Sequence, residues 1–184
     1  VDMAVVEVGL GGRLDSTNIL TPVLSVITNI GMDHTEFLGN TLAQIAREKA
    51  GIMKPGVPCV IGESHPQTMN VFLSRAQECG ILGEGLETTD CRIWFADQCG
   101  YMRSRRLREA PESELKGIYQ EHNLQTAYVA LKAISYQHSA FSIQPSAIRD
   151  GFAHVCSLTG LRGRWETLRE KPLVVCDTGH NSHG

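Results

Sequence analysis

Short apolar runs alternate with amphipathic stretches along the first half of the chain, the pattern of strands and helices taken in turn. Met3-Ala4-Val5-Val6 is a continuous apolar run of the kind that forms a buried parallel strand, and Val23 to Ile30 is a second. Thr41 then offers a hydroxyl for a helix N-cap. Leu42, Ile45, Ala46 and Lys49 follow at helical spacing, and Gly51 and Pro55 stop the helix. Val57 to Ile61 predicts a third strand, and Gln67 to Cys79 a helix closed by Gly80. Arg92 to Phe95 and Tyr101 to Leu107 are expected to pair as a hairpin around Gln98-Cys99-Gly100. A long helix follows from Tyr119 to Ser135, with Leu124, Ala127, Val129, Leu131 and Ile134 largely on one side, and a shorter one from Ser146 to His154. Leu161-Arg162-Gly163-Arg164 reads as a linker, and Leu173 to Cys176 as a strand ending at Asp177.

This alternation implies an α/β fold with a mainly parallel sheet flanked by helices. The strand beyond the linker is read as the first of a second α/β domain, so residues 1–160 are expected to form part of one domain and residues 161–184 the linker and the start of the next. The chain opens without Met inside an apolar run and stops in a polar loop, which reads as an internal segment of a longer polypeptide.

With 184 residues and a net charge of -3, the chain offers no electrostatic case for nucleic-acid binding. Its one cationic cluster, Arg103, Arg105, Arg106 and Arg108, reads as a solvated strand or loop. No run approaches the roughly 18 apolar residues of a membrane span, and no signal-peptide pattern opens the chain, so we expect a cytoplasmic protein without a membrane partner. The cysteines at 59, 79, 91, 99, 156 and 176 form no CxxC pair and no zinc-like spacing, which leaves reduced, mostly buried thiols.

Candidate chemistry begins at Glu7, where the first apolar run opens into Val8-Gly9-Leu10-Gly11-Gly12-Arg13-Leu14-Asp15-Ser16-Thr17-Asn18. Ligands collect outside the carboxyl ends of strands in open α/β sheets, and glycines let the backbone lie close against them. Glu7, Arg13 and Asp15 add charge of both signs; the plainer alternative is a tight turn with solvated charges. The second apolar run ends at Gly31-Met32-Asp33-His34-Thr35-Glu36. Adjacent parallel strands would bring His34 to the same sheet edge as Glu7, and a carboxylate and an imidazole are both donors for a divalent metal. His34 alone reads equally as a loop residue or a partner of Asp33. Lys49 falls at a core-directed helical position, where a lysine ordinarily snorkels to water or pairs with an acid; converted by CO₂ to a carbamate it would become an anionic oxygen ligand. No GxxxxGK[ST] phosphate loop is present.

The segments Glu7 to Asn18, Gly31-Met32-Asp33-His34-Thr35-Glu36-Phe37-Leu38-Gly39 and Ile45-Ala46-Arg47-Glu48-Lys49-Ala50-Gly51-Ile52 with Lys54-Pro55-Gly56 closely resemble the folylpolyglutamate synthase and dihydrofolate synthase family, part of the ATP-dependent Mur ligase group. Leu115-Lys116-Gly117-Ile118-Tyr119-Gln120 with Asn123 is similar to that family's helix motif. Gly163-Arg164-Trp165-Glu166 resembles its linker, and Asp177-Thr178-Gly179-His180-Asn181 its C-terminal-domain signature. The chain departs from the family pattern at Tyr119, where the family often has His, and at Ser182, where it often has Pro.

The resemblance implies a Mur-ligase-type ATP-binding domain without its N-terminal phosphate-loop unit. By that resemblance Glu7 binds magnesium near the nucleotide phosphates, while His34 and a carbamylated Lys49 bind a second magnesium. Asn123 faces the adenine, Arg164 the phosphates, Asp177 and His180 the ribose and phosphate region, and Asp15 with Arg13 the substrate. The implied substrates are ATP, L-glutamate and a folate or dihydropteroate, whose carboxylate is activated as an acyl phosphate before amide formation, in a monomeric parent. A segment without the phosphate loop is expected to be inactive alone. Two other readings stand beside this one: a Mur-type cell-wall peptide ligase, against which the Gly9 to Asp15 loop favours the folate branch, and a noncatalytic nucleotide-binding module.

Overall fold

The computed structural model describes residues 3–82, 92–98, 112–137 and 143–179. The chain divides into two compact units, Val1–Ala96 and Asp97–Gly184.

The first unit is built on three short parallel strands, β1 (Ser25–Ile27), β2 (Cys59–Ile61) and β3 (Ile93–Phe95), in the order β1-β2-β3. Val26 pairs with Val60, and Val60 with Trp94. All three residues of β2 are inaccessible to water, which is why this strand reads as unbroken Cys-Val-Ile rather than as an alternation. Parallel neighbours need a crossover between them. Helices α1 (Thr35–Leu38) and α2 (Leu42–Ala50) lie between β1 and β2, and α3 (Pro66–Glu78) between β2 and β3.

Local chemistry sets where these helices begin. Thr41 Oγ1 accepts from the Gln44 backbone N–H at 3.2 Å, while Gln44 Oε1 accepts from the Asn40 N–H at 2.9 Å, a reciprocal cap at the start of α2. In α3, Pro66 takes the first position, where its missing N–H costs nothing, and His65 Nδ1 accepts from the Gln67 N–H at 3.2 Å. Ile45, Ala46 and Ala50 of α2 and Phe72 and Ala76 of α3 are buried, and most of them join Met53, Ile27 and β2 in one core.

One expectation is corrected here. Met3 to Val6 runs without a strand partner among the described residues, and Val5 is 96% exposed. An apolar run becomes a strand only where a neighbour offers a ladder, and the described residues offer none. The segment Arg92 to Phe95 enters the sheet as β3, parallel to β2, and buries Ile93 and Phe95. Its expected partner, Tyr101 to Leu107, lies outside the described residues, as do the turn at Cys99-Gly100 and the arginine cluster.

In the second unit, α4 (Gln120–Gln137) buries Thr126, Val129 and Ala133 at helical spacing, with Gln120 also buried at its start. Helices α5 (Pro145–Ala153) and α6 (Val155–Thr159) follow. The Glu114 carboxylate accepts from the Cys156 and Ser157 N–H groups at 2.6 and 3.2 Å, satisfying donors that begin α6. The expected strand is present as β5 (Leu173–Cys176), and it pairs antiparallel with an unanticipated strand, β4 (Glu166–Glu170). Among the described residues no helix is long and apolar enough to cross a membrane.

Candidate functional site

The glycine loop of the first unit is shaped by Asp15. Its Oδ2 accepts from the Gly9 and Leu10 N–H groups at 3.1 and 3.0 Å, and its Oδ1 from the N–H and hydroxyl of Thr17 at 2.9 and 2.6 Å. The Thr17 hydroxyl, then the Leu10 N–H and the other donors, hold its carboxyl down at about 2. A carboxylate so engaged organises the loop around itself.

The loop is fastened to the end of α2. The Arg13 N–H donates at 2.8 Å to the Glu48 carbonyl, which also accepts from the Gly51 N–H at 3.3 Å where the helix ends. The Arg13 guanidinium reaches the Glu48 carboxylate at 3.1 Å, and Asn18 Nδ2 donates to the carbonyls of Arg13 and Gly51 at 3.0 and 3.2 Å. Lys54 Nζ closes the far side on the Asn18 carbonyl at 2.6 Å. Such close approach requires glycine. A Cβ on Gly12 would meet the Ile52 side chain at 2.8 Å, and one on Gly51 would meet Arg13 Cα at 2.5 Å.

Lys49 lies in this same final turn of α2, half-buried, and its ammonium has no hydrogen bond or ion pair among the described residues. Glu7, at the mouth of the loop, is exposed and likewise without a described partner. His34 caps α1 with left-handed backbone, φ 48° and ψ 40°. Its N–H donates to Asp33 Oδ1 at 2.8 Å, and its exposed ring Nε2 stands 3.8 Å from the same oxygen. Only His34 and Trp165 among the described non-glycine residues have positive φ, and both fall within the candidate motifs. Such backbone costs about 1–3 kcal/mol and collects at functional sites.

The structure therefore joins Arg13, Glu48 and the turn bearing Lys49. It does not join Glu7 to His34 through adjacent strands, because the Glu7 segment is outside the sheet. Among the described residues no three His, Cys, Asp or Glu side chains converge as a metal cage. The accessible Glu7 carboxylate is an oxygen donor of the kind magnesium takes beside its waters and substrate phosphates, whereas the His34 imidazole is a nitrogen donor, which suits magnesium less well.

In the second unit Asp177 is the centre. Its Oδ2 accepts from Tyr119 Oη at 2.7 Å and from the Trp165 N–H at 2.8 Å, and its Oδ1 from the Gly179 N–H at 2.7 Å. The Tyr119 hydroxyl above all, then the Gly179 N–H, hold its carboxyl below the usual range, and the same bond raises the Tyr119 phenol. Arg164 bonds the Thr178 hydroxyl and the Gly163 carbonyl. Asn123 is exposed on the first turns of α4, with Nδ2 donating to Gln120 Oε1 at 3.0 Å. His180 lies outside the described residues. Sequence reasoning missed Tyr119 and Glu48 as members of these networks; the spacing Asp15-x-Thr17 did carry the signal of a carboxylate bonding its own backbone two residues on.

No family model matches the chain. Dihydrofolate synthase/folylpolyglutamate synthase of Bacillus subtilis is 34% identical over 190 residues, covering 100% of this chain and 43% of the relative. A folylpolyglutamate synthase solved with AMPPCP and folate matches 96% of the chain and covers 43% of its own, with a TM-score of 0.73 and 29% identity. The bifunctional synthase of Yersinia pestis, solved with AMPPNP and a manganese ion, matches 96% of the chain and covers 39% of its own, with a TM-score of 0.69 and 32% identity. The chain spans about two fifths of the length of the curated relatives it matches. Matched along its whole length in sequence and in its Mur-ligase-type α/β fold, the chain belongs to the folylpolyglutamate synthase/dihydrofolate synthase family.

Proposed function

We propose that, within a protein of the relatives' full length, this chain supplies the metal- and nucleotide-facing part of a ligase that joins a folate or dihydropteroate to L-glutamate at the expense of ATP. The observation that carries this reading is the glycine loop bearing Glu7 clamped to the helix turn bearing Lys49, in a chain whose whole length matches these synthases.

A carboxylate is a poor electrophile until a leaving group is installed. An oxygen of the folate carboxylate attacks the γ-phosphorus of ATP and ADP departs; the glutamate amine then attacks the acyl carbon, inorganic phosphate leaves and the nitrogen loses a proton. Magnesium, when bound, would offset the charge between two anions. Glu7 would hold one ion beside the phosphates, and His34 with a carbamylated Lys49 a second. Lys49 is suited to that modification in having no acid bound to its ammonium among the described residues. Asn123, Arg164, Asp177 and His180 would face the nucleotide, and Arg13 and Asp15 would shape the substrate side through the loop they hold. We further propose that residues 1–160 belong to the ATP-binding domain and 161–184 to the linker and following domain, in a monomeric cytoplasmic protein, and that this segment alone is inactive.

The test is an ATP-dependent assay of a full-length protein carrying this sequence, with dihydropteroate and tetrahydrofolate as alternative acceptors. Glutamate incorporation with either, accompanied by one ADP per amide, is expected; incorporation with neither, and thermal stabilisation only by a UDP-linked muramyl peptide, would overturn the folate reading.

A further inference from the structure

We propose that Tyr119 is a positioning residue that sets the carboxylate of Asp177 for a ribose hydroxyl of the nucleotide. The inference rests on the preceding reading of Asp177 as a nucleotide-facing group and adds to it a partner 58 residues away in sequence.

The argument is one of acceptor positions. A carboxylate has two oxygens and about four lone-pair sites. On Asp177, Oδ2 carries both the Tyr119 hydroxyl and the Trp165 N–H, and Oδ1 carries the Gly179 N–H. One acceptor position therefore stays open, and it is on Oδ1. The two backbone donors come from residues close to Asp177 along the hairpin formed by β4 and β5. Without a third donor the carboxylate could rotate about its terminal bond and exchange its oxygens between them. The Tyr119 hydroxyl, arriving from the residue just before α4, makes the two oxygens unequal and fixes the plane of the group. An ionised acceptor with a single open acceptor position matches a hydroxyl donor and repels a phosphate, so it selects the sugar end of a nucleotide. The lowered Asp177 carboxyl and raised Tyr119 phenol agree with a phenol that remains protonated and a carboxylate that remains charged. Tyr119 also stands at a position where the resemblance leads one to expect His, another side chain able to donate.

The experiment measures kcat/KM for ATP, 2′-deoxy-ATP and 3′-deoxy-ATP in a full-length protein carrying this sequence, its Tyr119→Phe variant and its Tyr119→His variant. The wild type is expected to prefer ATP over at least one deoxynucleotide. Tyr119→Phe is expected to raise KM for ATP about three- to tenfold with kcat little changed, the scale of one ordinary hydrogen bond. The same variant should reduce the preference for ATP over the deoxynucleotide, and Tyr119→His should restore it. A Tyr119→Phe variant with weakened ATP binding but the wild-type preference intact would reduce Tyr119 to a structural residue and overturn the proposal, as would unchanged KM. If the wild type turns over ATP with no preference at all, the nucleotide-facing role of Asp177 falls; if it makes amide without ATP, the ligase reading falls.

Discussion

Arg13 is bound to Glu48 twice, once through its backbone N–H to the Glu48 carbonyl at 2.8 Å and once through its guanidinium to the Glu48 carboxylate at 3.1 Å. The side-chain bond is half exposed and contributes little by itself to stability. The backbone bond carries the register between loop and helix, and it requires the bare surface of Gly51. We predict that Gly51→Ala, whose Cβ would press on Arg13 at 2.5 Å, destabilises the first unit by about 1–3 kcal/mol. Denaturant melts of the two proteins check this, with Arg13→Ala as the comparison expected to cost less.

Asp15 predicts a distinct acid sensitivity. Its folded carboxyl titrates at about 2, below the ordinary value near 3.8, so the stability it contributes is complete above about 4 and is lost as pH falls toward 2. Asp15→Asn would place an amide N–H₂ against N–H donors on one side of the group. The gap in thermal midpoint between wild type and Asp15→Asn should therefore be widest near neutrality and narrow between pH 4 and 2. A gap that stays constant over that range would remove the charged acceptor from the account.

Lys49 carries the sharpest prediction for turnover. In the full-length ligase Lys49→Ala should reduce kcat by about 10²–10³, the scale of losing one preorganised electrostatic group. Short carboxylic acids added to the assay should restore part of the loss by supplying oxygens where the carbamate stood. Full unrescued activity would take Lys49 out of the chemistry.

Glu7 should govern the metal requirement. Glu7→Gln keeps the shape of the side chain and removes its charge, and the magnesium concentration for half-maximal rate should rise at least about tenfold, the loss seen even for outer-shell partners of metals. Chelation with EDTA should abolish turnover in both proteins, and added magnesium should restore the wild type first.

The parts of the fold that could be read from the sequence are those with a local signal. Thr41 before α2 and Gly80 after Cys79 mark helix ends by capping and backbone geometry, and the structure uses each. The strands were harder: Val23 to Ile30 carries five apolar residues of eight, yet only Ser25–Ile27 finds a partner among the described residues, because ladder length is set by the neighbouring strand. β4 escaped notice because Glu-Thr-Leu-Arg-Glu is mostly exposed and has no buried face to imprint an alternation. The site divides in the same way. Gly9 to Asp15 announced a special loop, but whether Asp15 faced a ligand or its own backbone depended on which N–H groups turned inward. The bonds from Tyr119 to Asp177 and from Arg13 to Glu48 join positions 58 and 35 residues apart, and no local pattern encodes such a pairing.

Cys59 lies in the middle strand of the sheet with no surface open to solvent, and burial pushes its thiol far above the range in which it ionises. Alkylating reagents react with thiolates, so they can reach this sulfur only while the three strands part. Cys176, partly accessible, is expected to react from the folded state and to mark the zero of time. The delay before Cys59 is labelled is thus a clock inside the protein, timing how often its interior opens without any need for nucleotide or folate.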